Sequence, residues 1–191
     1  MEPSEEWASE FGNDYHARNW VNWQKRMPFW DRIIKRTGAR SVLEFGCGPG
    51  WNLSAIRRQY PDVPLIGVEI NPQAGDIAES CDLVVEKDLF SASWYSANVE
   101  LVFTAGCLIH IPPDHVFDTM RDLVNTSYKY VLSIEYEADK ETEIEYRGQA
   151  GLLWKRPYGK MYEDLGLTEI DCGPVGPADG FDDCTWRLMS K

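Results

Sequence analysis

The chain has 191 residues, with 31 acidic and 19 basic side chains and a formal net charge of −12. This length predicts one domain around one core, and so acidic a chain without a basic stripe argues against nucleic-acid substrates. No apolar run approaches the roughly 20 residues of a membrane span, and residues 1–6 are acidic rather than basic. We expect a cytoplasmic protein whose partner is a small molecule, not a nucleic acid or a membrane.

The five cysteines are widely spaced and form no paired pattern with one another or with histidine. We therefore expect reduced thiols, and neither a disulfide framework nor a metal site. These cysteines are Cys47, Cys81, Cys107, Cys172 and Cys184.

Residues 1–40 have the pattern of a helical cap. Their apolar side chains recur every three or four residues, which predicts one buried helix face, formed by Trp20, Trp23, Met27, Trp30 and Ile34. Pro28 interrupts the pattern, so we expect two helices that meet near Met27. The aromatic and polar side chains upstream would either close over a ligand or pack at the edge of a sheet. The candidate lid residues are Phe11, Tyr15 and Arg18.

The segment 41–60 combines a strand, a glycine turn and a helix. Residues 41–45 form a short apolar run, Gly46, Gly48 and Gly50 follow at alternate positions, and residues 51–60 have helical spacing. Glycine is needed where a backbone closes on a ligand or adopts positive φ. This order predicts a nucleotide-type ligand site.

A second strand, residues 65–70, places Glu69 19 positions after Gly50. In a doubly wound sheet the tip of the second strand lies beside the turn after the first, so Glu69 is expected to bind ribose hydroxyls. A dinucleotide fingerprint needs a small third residue where this chain has Trp51, which disfavours NAD.

The rest of the chain alternates strands and helices. Strands are expected at 82–88, 100–106 and 130–136, helices from 71 onward, at 115–125 and at 160–165, and a closing strand pair at 167–172 and 183–189, joined by a loop at 173–180. This order predicts a Rossmann-like α/β fold, with a seven-stranded, mostly parallel sheet, a C-terminal antiparallel hairpin and helices on both faces. Residues 1–191 would form one domain, with 1–40 as the cap and 137–160 as an insertion on the acceptor side.

The turn after the fourth strand is the expected site of chemistry, because ligands in such sheets lie beyond the carboxyl ends of the strands. Ala105 and Gly106 leave space there, and His110 is the candidate general base, since its unperturbed pKa is near neutral pH. Packing, or orienting the acceptor, is the alternative role for His110.

The insertion is the candidate acceptor pocket, with Tyr146 and Tyr136, which directly precedes the insertion, as aromatic residues. Three cations are notable in so acidic a chain, namely Arg147, Lys155 and Arg156. They would either bind a phosphate or carboxylate of the substrate or neutralise the neighbouring glutamates.

The run Glu44-Phe45-Gly46-Cys47-Gly48-Pro49-Gly50 resembles motif I of class I methyltransferases that use S-adenosylmethionine (SAM). The resemblance implies that Glu44 and the turn hold the methionine portion of SAM, and that Ile70 packs on adenine. It also implies that Asp88 reads the adenine amino group, although Glu86 and Asp88 would otherwise be solvated charges at a strand end. The full set of cofactor residues that it implies is Tyr15, Arg18, Glu44, Gly46, Cys47, Gly48, Gly50, Asn52, Glu69, Ile70, Asp88, Leu89, Thr104 and Ala105.

Three further segments resemble a narrower family, the small methylases associated with pseudaminic acid biosynthesis. They are residues 7–12 with Tyr15, Arg18 and Asn19, then residues 108–112, and then 145–148 with 153–156. This resemblance implies an acceptor among nucleotide-linked or amino sugars.

Three hypotheses follow for the function. The first is SAM-dependent methyl transfer to a hydroxyl or amine of a small molecule, and the second is a non-catalytic SAM-binding partner subunit. The third is aminopropyl transfer from decarboxylated SAM, which needs acidic residues near the fourth strand. Residues 104–107 contain none, so the third is disfavoured.

Overall fold

A computed structural model of the chain describes residues 3–79, 84–86 and 97–191. The α-helices of these residues are α1 (Pro3–Trp7), α2 (Glu10–Arg18), α3 (Met27–Thr37), α4 (Trp51–Gln59), α5 (Pro72–Glu79), α6 (Pro113–Thr126) and α7 (Tyr158–Asp164). Short 3₁₀ helices lie at Trp23–Arg26, Leu108–His110 and Pro177–Asp179.

The strands are β1 (Val42–Phe45), β2 (Leu65–Val68), β3 (Val84–Glu86), β4 (Val99–Ala105), β5 (Ser127–Glu135), β6 (Thr142–Glu143), β7 (Trp154–Lys155), β8 (Thr168–Val175) and β9 (Cys184–Ser190). Within the described residues the main sheet has seven strands in the order β3-β2-β1-β4-β5-β9-β8. Six of them run in one direction, and β9 runs antiparallel between β5 and β8. The fold is therefore the mostly parallel Rossmann-like sheet with an antiparallel hairpin.

The central strands are apolar because helices cover both faces of the sheet. On one face α3 and α4 bury Trp30 and Leu53 against Val42 and Phe103. On the other face α6 and α7 bury Met120 and Tyr162, together with residues of β1, β4 and β5. The two layers of core hold the strand ends, and the turns that follow them, at one edge of the sheet.

The cap has the helix break that Pro28 predicts. A 3₁₀ turn at Trp23–Arg26 leads directly into α3, and Pro28 lies in the first turn of that helix, where its missing N–H costs no hydrogen bond. Gly38 ends α3 in the left-handed region, at φ 61°. Trp30 and Ile34 are buried in α3, and Trp23 and Met27 pack against the same core. Trp20 is 70% exposed because it lies before the 3₁₀ turn and outside both helical segments, so its predicted place on the buried face was wrong.

Several predicted boundaries were wrong at the C-terminal half. β8 continues to Val175 and includes Pro174, a residue predicted to lie in a loop. Proline is accepted there because β8 is an edge strand that pairs with β9 only. The insertion is partly structured: β6 pairs with β7, and α7 begins at Tyr158 rather than at residue 160. Asp88 and Leu89 lie outside the described residues.

In the described ranges 3–79, 84–86 and 97–191, no helix combines the length and the apolar composition that crossing a membrane requires. The same ranges contain no cluster of three or more His, Cys, Asp or Glu side chains suited to a metal ion.

Two phenylalanines test how much the central core stabilises the fold. Phe103 on β4 is fully buried, whereas Phe117 on α6 is 43% exposed. We expect Phe103→Ala to lower the free energy of unfolding by about 3–5 kcal/mol, through lost contacts and a cavity, and the control Phe117→Ala to lower it by about 1 kcal/mol or less. Urea unfolding followed by tryptophan fluorescence measures both values. Equal losses in the two variants would contradict this description of the core.

Candidate functional site

One cavity of about 1010 Å³ lies at the carboxyl ends of β1, β2 and β4. The glycine turn after β1, the end of β2 and the turn after β4 line its floor, and the N-terminal helices line its other side. Cavities of roughly 300–1,000 Å³ hold drug-sized ligands. The space therefore suffices for a cofactor and a small acceptor together.

The turn at residues 46–50 brings the backbone close to its neighbours. Gly46 and Gly48 have φ of 73° and 51°, in the left-handed region. A Cβ atom on Gly46 would lie 2.3 Å from the sulfur of Cys107, and one on Gly48 would lie 3.1 Å from the ring of His16. Any larger residue would strain the turn at these two positions and narrow the cavity.

Glu69 holds the glycine turn against the end of β2. The Gly48 N–H donates to its Oε2 at 2.7 Å, and the Asn71 N–H donates to its Oε1 at 2.8 Å. The side chain is 6% exposed and still borders the cavity. Burial raises the pKa of Glu69, while the backbone donors favour its ionised form. Each oxygen retains a lone pair that could accept a ligand hydroxyl.

Glu44 and Asn52 form a buried polar chain behind the turn. The Asn52 Nδ2 donates to Glu44 Oε1 at 2.6 Å, and Asn52 Oδ1 accepts hydrogen bonds from Arg26 at 2.9 Å and from Trp30 at 3.1 Å. The second oxygen of Glu44, Oε2, is buried with no hydrogen-bond partner among the described residues. Burial raises the pKa of Glu44 to about 8 by disfavouring its ionised form, and a cation that reached the unpartnered oxygen would favour that form.

Arg26 is a cavity residue that sequence analysis missed. Its Nε donates to the Gly180 carbonyl at 2.8 Å, and its guanidinium stacks 4.3 Å from the centre of the Phe181 ring. Burial lowers its pKa, although Glu44 and Asp182 favour the charged form. In the sequence, Arg26 is marked only as a basic residue directly before a buried helix face. Its hydrogen bonds to residues 52 and 180 depend on tertiary structure.

The helices α1 and α2 lie over the cavity. Trp7, Tyr15, His16 and Arg18 all line it, whereas Phe11 packs edge-on against Trp7 at 5.2 Å between ring centres. The Asn71 side-chain amide donates to the Trp7 carbonyl at 3.1 Å and to Asn13 Oδ1 at 2.9 Å. The helices therefore border the cavity, and their closing over a ligand stays a prediction.

His110 faces the cavity from the 3₁₀ turn after β4, among the rings of Trp7, Tyr15 and Tyr146. Its Nδ1 lies 2.7 Å from the Leu152 carbonyl oxygen. Because a carbonyl only accepts, Nδ1 carries the proton and Nε2 keeps its lone pair. Burial lowers the pKa of His110 to about 4, so the ring is neutral near pH 7.

Glu135 is a second missed residue, at the end of β5. Its carboxylate is fully buried and accepts the backbone N–H groups of Cys107 and Leu108, both at 3.2 Å, and of Ile109, at 3.3 Å. Burial raises its pKa to about 7. The sequence signal for Glu135 was a glutamate at the end of an apolar strand. Glu135 does not line the cavity and instead binds the backbone of the turn that carries His110.

A family model described as a methyltransferase domain matches residues 22–158. The chain belongs to this methyltransferase family. The resemblance to class I SAM-dependent methyltransferases is thereby confirmed for family and fold, and SAM is the cofactor of this methyltransferase fold. No curated protein sequence matches the chain significantly.

Solved structures of low sequence identity share the fold. Magnesium protoporphyrin IX methyltransferase of Synechocystis PCC 6803, crystallised with SAM, has a TM-score of 0.72 at 14% identity, over 100% of this chain and 98% of that one. The 1,6-didemethyltoxoflavin N1-methyltransferase of Burkholderia thailandensis scores 0.74 at 15% identity, over 98% and 86%. A sugar N-methyltransferase of Streptoalloteichus sp. ATCC 53650 scores 0.67 at 14% identity, over 96% and 93%.

The methyltransferase cavity brings together most of the residues predicted to bind the cofactor. Its lining includes Tyr15, Arg18, Glu44, Gly46, Cys47, Gly48, Asn52, Glu69, Ile70 and Ala105. Gly50 instead begins α4 in the left-handed region. Thr104 is fully buried within β4 and does not line the cavity.

Only some of the predicted substrate residues of this methyltransferase line the cavity. Tyr136 and Tyr146 line the cavity with His110. Lys155 borders a neighbouring hollow of about 320 Å³ with Tyr136 and Asp182, and Arg147 is exposed. Arg156 is fully buried and pairs with Glu141 at 2.7 Å, so for Arg156 the structure favours neutralisation of a glutamate over anion binding.

Proposed function

We propose that this chain transfers a methyl group from SAM to an amine or hydroxyl of a small molecule. The observation that carries the proposal is that one cavity is lined by the glycine turn, Glu69, Glu44 with its unpartnered oxygen, and His110. SAM supplies an electrophilic methyl group on a sulfonium, and the chain has to bind, orient and enclose both reactants.

The polar groups of the cavity fit the ends of SAM. The unpartnered Glu44 oxygen suits the ammonium of its methionine portion, and the Arg26 guanidinium, held by Asn52 and Gly180, suits the carboxylate. Glu69 would accept the ribose hydroxyls with its remaining lone pairs. Cys47 and Ile70 would line the adenosyl part, and Tyr15 and Arg18 would close over it.

His110 would orient the acceptor through a hydrogen bond to its free ring nitrogen, Nε2. The Leu152 carbonyl fixes the tautomer, so Nε2 accepts a hydrogen bond from the acceptor hydroxyl or amine. A pKa of about 4 makes His110 a weak base, which favours the orienting role over full proton abstraction. The rings of Trp7, Tyr15 and Tyr146 around it exclude water from the reacting atoms.

For the acceptor we propose an amino sugar or a nucleotide-linked sugar. Tyr136 donates to Asp182 at 3.0 Å beside the cavity, and this polar pair, with the aromatic wall of Tyr146, suits a ring bearing hydroxyl and amino groups. The likeness of residues 7–12, 108–112, 145–148 and 153–156 to pseudaminic acid-associated methylases supports this class. The sugar N-methyltransferase among the structural neighbours is compatible with it.

Binding of S-adenosylhomocysteine tests the cofactor site. We expect wild-type chain to bind it, and Glu69→Gln to weaken the affinity about 10- to 100-fold, because a hydrogen bond to a charged group contributes about 1.5–3 kcal/mol. Glu163→Gln, an exposed glutamate on α7, is the matched control and should leave the affinity unchanged. Isothermal titration calorimetry measures all three. Absence of binding by the wild type would reject the proposed function.

The pH dependence of that binding tests Glu44. Its raised pKa of about 8 leaves the free side chain largely protonated at pH 7, whereas the ligand ammonium favours the ionised form, so binding releases a proton. Affinity should therefore rise from pH 6 to pH 8, by up to about tenfold per pH unit for one proton. Glu44→Gln should flatten this slope.

The same titrations in two buffers with different ionisation enthalpies count the protons released. Arg26, Glu69, His16 and His110 also face the ligand, so an unchanged slope in the Glu44→Gln variant would assign the released proton to another group and contradict the role of Glu44.

A panel of acceptors tests the substrate class. With SAM present, we expect amino sugars and nucleotide-linked sugars to release S-adenosylhomocysteine, detected by mass spectrometry together with a product heavier by one methylene. The control is the His110→Phe variant, which should bind S-adenosylhomocysteine but turn over at least about 100-fold more slowly. Turnover confined to acceptors without a sugar would contradict the class, and binding without any turnover would favour a non-catalytic partner subunit.

A further inference from the structure

The turn that carries His110 is held from two sides by buried charged groups. Glu135 accepts hydrogen bonds from the N–H groups of Cys107, Leu108 and Ile109. On the other side, Arg156 donates from Nη1 to the Leu108 carbonyl at 2.8 Å and from Nη2 to the Ile111 carbonyl at 2.7 Å. The backbone N–H groups of the turn thus donate to the carboxylate of Glu135, and its backbone carbonyls accept from the guanidinium of Arg156.

The guanidinium geometry suits this task. Arg156 has no exposed surface, does not line the cavity, and uses its remaining Nε–H for the ion pair with Glu141. Its planar fork donates from two nitrogens to two carbonyls three residues apart in one fixed geometry, whereas a lysine would offer all its donors from one nitrogen on a flexible stem. A buried charge destabilises a protein unless it is fully paired. Replacing Arg156 would therefore leave the Leu108 and Ile111 carbonyls without their donors and change the conformation of the turn.

The same segment also holds the ring of His110. Leu152, whose carbonyl accepts from Nδ1, lies four residues before Arg156, and β7, with Trp154 and Lys155, lies between them. The backbone of the turn and the tautomer of the ring are therefore fixed by one stretch of the insertion.

We propose that Arg156, acting with Glu135, is a positioning residue that holds the His110 turn so that Nε2 is presented to the acceptor. This role rests on the proposed function, because it gives Arg156 a task only if His110 meets an acceptor. Arg156 touches neither reactant, and its effect passes through the backbone of residues 108–111 and the Leu152 carbonyl.

The test is nuclear magnetic resonance of the histidine ring nitrogens in the full chain at pH 7, with and without S-adenosylhomocysteine. The chain has three histidines, so His110→Gln assigns the signal. We expect a single Nδ1-protonated tautomer in the wild type, and in R156K a second set of His110 signals of about one tenth of the intensity or more. R147K, at an exposed arginine of the same insertion, should match the wild type.

E135Q is the second variant, isosteric at the opposite side of the turn, and should also produce the second tautomer. It decides the question if R156K does not fold. A single unchanged tautomer in folded R156K, or in E135Q where R156K is unfolded, would overturn the proposal. The affinity for S-adenosylhomocysteine should stay within about twofold in R156K, because the cofactor residues lie elsewhere.

These outcomes are separate from those of the proposed function. If the wild type fails to bind S-adenosylhomocysteine, the methyltransferase assignment of the cavity is lost, but the tautomer comparison without ligand still decides whether Arg156 positions His110.

Discussion

The carboxylate of Glu69 is the interaction on which the site depends. Its two oxygens join the glycine turn after β1, through Gly48, to the start of α5, through Asn71. Asn71 in turn holds the backbone of Trp7 and the side chain of Asn13 in the lid. One buried side chain therefore fixes the floor of the cavity and, through its neighbour, the helices that cover it. Because backbone N–H groups rather than a cation balance its charge, the site remains open to a ligand with hydroxyl groups.

Two buried acids line the methyltransferase cavity and a third lies behind the His110 turn, and the fold satisfies their hydrogen bonds to different degrees. Glu69 and Glu135 accept backbone N–H groups at both oxygens, whereas Glu44 has one oxygen without a partner. An unsatisfied buried oxygen destabilises the free protein. Such a cost is typical of a binding group whose partner is the ligand. This difference separates Glu44, whose unpartnered oxygen the proposed function assigns to the ammonium of the cofactor, from the two acids that shape turns.

The parts of the site that could be predicted are those encoded locally. Gly46, Gly48 and the apolar run before them specify a strand and a turn within ten residues, and the position of Glu69 follows from the way a second parallel strand must return beside the first. Arg26 and Glu135 could not be found in this way. Their partners lie at residues 52 and 180 and at residues 107–109, so their roles arise from packing between distant segments. The length of β8 likewise depends on tertiary structure. Because β8 lies at the edge of the sheet, it can include Pro174, and the strand predicted from the sequence was too short.

The cations of the insertion show why charge by itself did not reveal function. Arg147 is exposed, Lys155 is half-buried and Arg156 is fully buried, yet the three look alike as a basic group in an acidic chain. Only burial separates a solvated charge from one that holds backbone carbonyls. In the structure the insertion therefore braces the His110 turn instead of presenting a basic patch. If the proposed function holds, selectivity for the acceptor would then arise from Tyr136, Tyr146 and Asp182, which border the cavity, while Arg156 would limit how far His110 can move to meet different acceptors.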